Sequence, residues 1–531
     1  QLEDIIEYFE KTTRDPDPDN EPLGRVIVAP AGYGKTHFVG ELRRRVWEMD
    51  GWFILLDFIG IKDFWSSVAL HFLNSLQVST ADGKTQYDRL ILKIASQLGI
   101  LRKMLNIAER YRGRPDELIN ELANLFVRSI ADRYGKAEAT RHRGVLTALV
   151  LLISEDLDCH NIAHAWLQGM KLDPGVTQRL GLVQDNSPIN VVEGLCWIMS
   201  LVGPTLIAID QIDSIVSARN SLARSAGSEA TDEQKEAQFI IDSLAQGLMD
   251  LHEKKRRAVI VVSCLEASWE VLKGTTAAVT ARFVPPAILH ALPGREAARN
   301  VIAQRLQRAY ADCGFEPPYA TWPFTDAAFD SAVGLSPREL LIACEAHRQR
   351  CIAAGKVIEC NSFVSVEQKH ETPPAAIDDL DRAYEAELKA AIVPELMDAA
   401  AEEQLRDLFD GTLRLFQKHL ELPNDIDVVV QRDPDQKRPS LHGRLSFIFR
   451  AEGDREQHYC FRILGHNNAI AFQSRLKAAM TASGIDTALK FRHLFILRRD
   501  EPPGGAKTMA LVDQFLSAGG KFIAPTSDDL R

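Results

Sequence analysis

One stretch of the 531-residue chain has residue types and spacing suited to phosphate chemistry: Ala29-Pro30-Ala31-Gly32-Tyr33-Gly34-Lys35-Thr36. Gly32 and Gly34 let backbone N–H groups close around an anion, and a following helix turns its positive end to the same point. Lys35 is spaced to reach β- and γ-phosphates, and Thr36 offers a hydroxyl to Mg2+. Pro30, Ala31, Tyr33 and His37 complete the set expected against a nucleotide. Ala29 stands where the usual pattern has its first glycine, a position that takes a small residue.

A metal held there needs a carboxylate from a second strand end, and Asp210-Gln211-Ile212-Asp213 supplies it after an apolar run. Asp210 is expected on the Mg2+ side. Many ATPases carry next a Glu that orients the attacking water; here the residue is Gln211, which cannot accept a proton. Asp213 is therefore the candidate general base or water-positioner, with Gln211 beside it, and slow hydrolysis follows.

These residues need a parallel sheet to hold them. Strand patterns at residues 25–29, 53–58, 205–210 and 258–263 alternate with helical periodicity, as in helix-covered parallel sheets. Thr36 and Asp210 are 174 positions apart, so the helical text between them is an insertion. The expected division is a first part of the nucleotide core (1–62), a helical insertion (63–202), the rest of the core (203–290), a three-helix lid (291–360), a helical connector (361–420) with a polar linker at 369–374, and a C-terminal α/β unit (421–531). In that last unit strands are expected at 427–432, 441–450, 459–464, 491–498 and 521–524, with helices at 469–483 and 507–518.

Residues 29–36 together with Asp210-Gln211-Ile212-Asp213 resemble the AAA+ and STAND branches of P-loop ATPases. The resemblance implies ATP and Mg2+ as cofactors and extends over about residues 24–355. It gives Ser263 the role of the polar sensor that faces the γ-phosphate. It gives Arg282, in Thr280-Ala281-Arg282-Phe283, that of an arginine finger reaching a neighbouring subunit. Arg338, in Gly334-Leu335-Ser336-Pro337-Arg338-Glu339, takes that of the lid arginine. The same order of landmarks occurs in replication initiators and transposition regulators, and short words at 166–169 and 192–195 resemble ATP-binding proteins of BREX-type phage defence. The order α-β-β-β-α-β at the C-terminus resembles a restriction-endonuclease-like fold in degenerate form, because the expected second and third strands lack the carboxylate and the E-x-K pair of that family. Asp425 and Asp427 are read as turn caps. The implied partners are a second copy or a protein effector, and nucleic acid at the C-terminal unit.

Composition narrows the classes. Hydrophobic residues at 46% and charged residues at 25% are those of ordinary globular proteins. Lys+Arg 62 against Asp+Glu 73 gives a net charge of −11, which excludes a uniformly basic nucleic-acid coat. One local basic rim, Arg475, Lys477, Arg498 and Arg499, is the candidate grip; Arg43-Arg44-Arg45 and the basic run at 254–257 read as solvated faces. Eight cysteines without a C-x-x-C pair fit a reduced, cytoplasmic chain. The uncharged run 194–209 is broken at Gly203-Pro204, so no membrane anchor is expected. His160 and His164 have metal-compatible spacing but no third ligand. The start at Gln1 without Met is expected to be a trimmed end.

Overall fold

Val, Ile and Leu fill the early strand patterns without polar alternation, as strands buried on both faces do. A computed structural model describes the chain except residues 15–21, 58–63, 81, 112–113, 155, 184, 214–215, 217–231, 276, 364–376, 421, 424, 434–438, 453–454 and 488. The expected linker at 369–374 lies outside the described residues. Five strands, β1 (Arg25–Val28), β2 (Trp52–Leu56), β3 (Thr205–Ile209), β4 (Ala258–Cys264) and β5 (Ala287–Ile288), pair in the order β2-β3-β4-β1-β5, every pair parallel. β5 was not expected: two residues carry no readable periodicity.

Period-two alternation divides this sheet between two cores. Ile27, Phe53, Leu206, Ala208, Val259 and Val261 pack with Phe9, Val39, Leu42 and Val46 from helices Leu2–Arg14 and Lys35–Glu48. The opposite face, including Val28, Ile54, Ile207 and Ile260, is continuous with the helical insertion through Phe72, Leu149, Trp166 and Leu195. The insertion is thus a layer on the sheet, sharing its core.

Helices Arg295–Cys313, Asp326–Asp330 and Pro337–Ala353 pack around a small core of their own that includes Ile302, Phe329 and Leu340. Residues 377–419 form two helices, Ile377–Ala390 and Glu402–His419; Pro394 lies between them, where a helix would lose a backbone donor.

The C-terminal sheet contains β6 (Ile426–Gln431), β7 (Gly443–Phe449), β8 (Arg455–Ile463), β9 (Arg492–Leu497) and β10 (Lys521–Ile523), in spatial order of sequence. β6, β7 and β8 pair antiparallel, while β8, β9 and β10 pair parallel. The whole is an α/β protein with one parallel and one mixed sheet. β8 starts at Arg455, before the expected 459, because the β7–β8 ladder continues through polar positions. This corrects the reading of the third strand as lacking a carboxylate: Glu456 lies on it.

Candidate functional site

In the order β2-β3-β4-β1-β5 the connections leaving the neighbouring strands β1 and β4 run to opposite edges of the sheet, and clefts at strand C-termini form at such points. The loop Ala29–Gly34 leaves β1 there. Gly32 (φ 82°) and Gly34 (φ 88°) take the left-handed backbone that non-glycine residues avoid, and Gly34 is the N-cap of helix Lys35–Glu48. A Cβ on Gly32 would also stand 3.1 Å from Cβ of Arg338.

The register sets the other side of the site. Ile209 pairs with Val262, so Asp210 and Ser263 follow side by side at the same sheet edge. Thr36 Oγ1 donates to Asp210 Oδ2 at 3.1 Å, closing the 174-residue gap. Gln211 N–H donates to Asp210 Oδ1 at 3.0 Å from a backbone with φ 61°, an uncommon conformation for a side-chain-bearing residue. Burial pushes the Asp210 carboxyl up to about 6, against the opposing effects of the Gln211 amide, Thr36 and Ser263. Lys35 Nζ donates to the Ala29 carbonyl at 2.8 Å and stands 3.9 Å from Asp213 Oδ2. Asp213 accepts from the Leu265 amide at 2.7 Å; burial raises its carboxyl above the usual range although Lys35 opposes the shift.

The start of helix Pro337–Ala353 lies against this group. Ser336 and Glu339 form a capping box, Pro337 takes the first helical turn, and Arg338 N–H donates to the Gly32 carbonyl at 3.2 Å. The structure therefore brings together Pro30, Gly32, Gly34, Lys35, Thr36, Asp210, Gln211, Asp213, Ser263 and Arg338. Ala31, Tyr33 and His37 share the loop and the helix start. Arg282 is not in this group. Its carbonyl accepts from Gly24 N–H at 2.8 Å, at the opposite end of β1 from the loop, and its guanidinium pairs with Glu253.

Several residues at the site were not foreseen. Asp57 follows Leu56 on the strand beside Asp210, pairs with His71 Nε2 at 2.9 Å and lies 3.8 Å from Arg444 of β7. Burial opposes its charge, yet His71 and Arg444 hold its carboxyl below the ordinary value. A strand ending in Asp was the readable signal. Asp427 is no turn cap: it lies within β6, 3.2 Å from Arg338 Nη1, and Arg450 grips it through both oxygens. Glu456 Oε2 lies 3.0 Å from Nε2 of the buried His458.

The expected basic rim is turned inward. Arg498 is buried and donates to the Leu464, His466 and Asp500 carbonyls; Arg499 binds the Pro525 carbonyl and Glu395. Arg475 reaches Asn161 at 3.4 Å and Lys477 the Gln168 carbonyl at 3.2 Å, joining the C-terminal unit to the insertion. These cations serve internal contacts instead of forming an open phosphate-binding face. Among the described residues no cluster of three His, Cys, Asp or Glu could hold a metal ion, and none includes His160 and His164. No described helix is long and apolar enough to cross a membrane.

No family model matches the chain, and no curated protein matches it. Among solved structures the chain is similar to the Aeropyrum pernix ORC2 protein in ADPNP-ADP complexes, at 11% identity over 98% of this chain and 85% of that one, with a TM-score of 0.27. A likeness at that score carries no argument about what this chain does.

Proposed function

We propose that the chain binds ATP with Mg2+ between the β1 loop and the lid, hydrolyses it slowly, and uses the nucleotide state to control self-assembly or a protein effector, in a setting such as bacterial phage defence. The observation that carries this reading is the Thr36–Asp210 contact at 3.1 Å next to Lys35. A hydroxyl and a carboxylate are hard oxygen donors of the kind Mg2+ takes while keeping several waters. Both fit the ion, and Asp210, ionised above about pH 6, can bind it at neutral pH. When bound, the ion supplies charge neutralisation for the β- and γ-phosphates.

The chain's own residues do the rest. Loop amides orient the phosphates, Lys35 and Arg338 complement charge on the γ-phosphoryl oxygens, and Asp213 or Gln211 positions water. Gln211 cannot take a proton and Asp213 is committed to the Leu265 amide, which supports low turnover. An ATP-bound signalling switch is the second reading, favoured by the Arg338–Asp427 pair that occupies the lid arginine. The mixed sheet's antiparallel-then-parallel order supports a degenerate restriction-endonuclease-like fold. A DNA-gripping loader has less support because the basic rim is engaged internally.

Titration with a fluorescent ATP analogue, followed by phosphate-release kinetics, tests the reading. Lys35→Ala is expected to weaken binding at least about tenfold, the effect of about 1.4 kcal/mol. Equal binding and equal phosphate release by wild type and variant would remove it.

A further inference from the structure

The C-terminal sheet presents carboxylates to the phosphate loop. In the β6–β7–β8 register, Asp427, Ile448 and Glu456 stand opposite one another, so their side chains share one row on one face. From that row Asp427 reaches Arg338 at 3.2 Å, and Arg338 is bonded through its own amide to Gly32 of the loop. Glu456 lies within the electrostatic reach of Lys35, Arg338 and Asp213. Burial pushes its carboxyl up to about 6 against the pull of Arg492, Lys35, Arg444 and Arg338. A further cross-unit pair, Arg444 with Asp57 at 3.8 Å, lies at the strand next to Asp210.

Lys35 and Arg338 are cations gathered at a loop shaped for phosphate, and Asp427 and Glu456 supply negative charge beside them. Carboxylate and phosphoryl oxygens compete for the same cations, and like charges forced together in a part-buried site repel. Asp427 can release Arg338 without being left alone, because Arg450 holds it through Nε at 2.9 Å and Nη2 at 2.5 Å. The apolar attachments are elsewhere: Leu70 of the insertion belongs to the C-terminal core, and Leu489 of the C-terminal unit belongs to the main core. A charged edge can therefore separate while an apolar hinge holds.

We propose that Asp427 and Glu456 are an internal surrogate for the terminal phosphate, so that seating of the β6–β8 edge on the loop and binding of a nucleoside triphosphate oppose each other. The edge lifts with the triphosphate and reseats with the diphosphate, which lacks the competing group. This rests on nucleotide binding at the loop.

The test titrates full-length protein with a fluorescent non-hydrolysable ATP analogue and with the matching ADP analogue. The double variant Asp427→Asn, Glu456→Gln is expected to bind the triphosphate roughly tenfold more tightly, with the diphosphate within about twofold of wild type. Wild type that binds neither nucleotide defeats the nucleotide-site reading itself. Binding of both, with a triphosphate-to-diphosphate affinity ratio unchanged or lowered in the variant, overturns the antagonism alone. Hydrogen exchange on unmodified protein gives a second readout that does not depend on the variant folding. Amides of 426–431 and 443–449 should exchange faster with the triphosphate than with the diphosphate; equal or slower exchange overturns the proposal.

Discussion

On the proposed reading Asp210 is under two opposing demands: it must ionise to hold a metal, yet it is buried at the C-terminal edge of the sheet, where an uncompensated charge is costly. Its carboxyl keeps a proton up to about 6 in the folded chain, whereas an unfolded aspartate releases it near about 4. The folded state thus binds the extra proton. The acid form's stability is fully present below the unfolded value and is lost as pH rises through about 6. Asp210→Asn lacks this loss. Urea unfolding should find the variant gaining over wild type by about 2 kcal/mol more at pH 7.5 than at pH 4.5, an order-of-magnitude figure. The same gain at both pH values would contradict the burial argument. Activity is expected to move the other way, a stability–function conflict common at binding sites.

Helix Glu402–His419 is fastened to the mixed sheet by charge at its first turn. Glu402 faces the guanidinium groups of Arg462 of β8 and Arg475 and is hydrogen-bonded to His442; these partners hold its carboxyl well below the usual range although burial opposes them. Arg462 is 1% exposed and also donates to the Pro439 carbonyl. Removing one partner of a buried pair leaves the other uncompensated. Arg462→Ala should therefore cost about 3–5 kcal/mol in denaturant unfolding; a cost below about 1 kcal/mol would show that water reaches the pair. At this scale Arg338 was singled out by the family resemblance of its segment, and the structure shows that Ser336-Pro337-Arg338-Glu339 is a capped helix start. Glu456 was not: the β8 ladder runs through Arg455–Ile463 on cross-strand pairing with β7, which is not local information.

Across the whole molecule, apolar exchanges bind the parallel-sheet unit to the mixed-sheet unit. Leu70 is fully buried in the C-terminal core beside Phe472 and Leu476, and Leu489 is buried in the main core. Helix Ala469–Ser483 also contacts the insertion helices Phe64–Gln77 and Leu157–Leu167. Shared cores predict coupled unfolding. Leu70→Ala should cost about 2–5 kcal/mol from lost transfer and a residual cavity. Scanning calorimetry should show the whole endotherm shifting down together. Two separate transitions, with only one moved, would mean that the units unfold independently. The −11 net charge also takes its meaning here: Arg498, Arg475 and Lys477 are used inside the molecule, so the rim that the sequence suggested is not an open surface.

By itself the sequence determined what is local in the chain. The loop Ala29–Thr36, the strand ending in Asp210, the three helices between 294 and 355 and the strand-and-helix order of the last hundred residues were readable because each is set by neighbours in sequence: glycine conformations and apolar patterns of strand or helix period. Only the tertiary structure decided which distant charges meet. Asp57, Asp427 and Glu456 gain their significance from charges distant in the chain: Asp57 from Arg444, Asp427 from Arg338 89 positions away, and Glu456 from the field of Lys35. Electrostatic partners are chosen by register and by the docking of one sheet against another, and neither leaves a periodic trace in the chain.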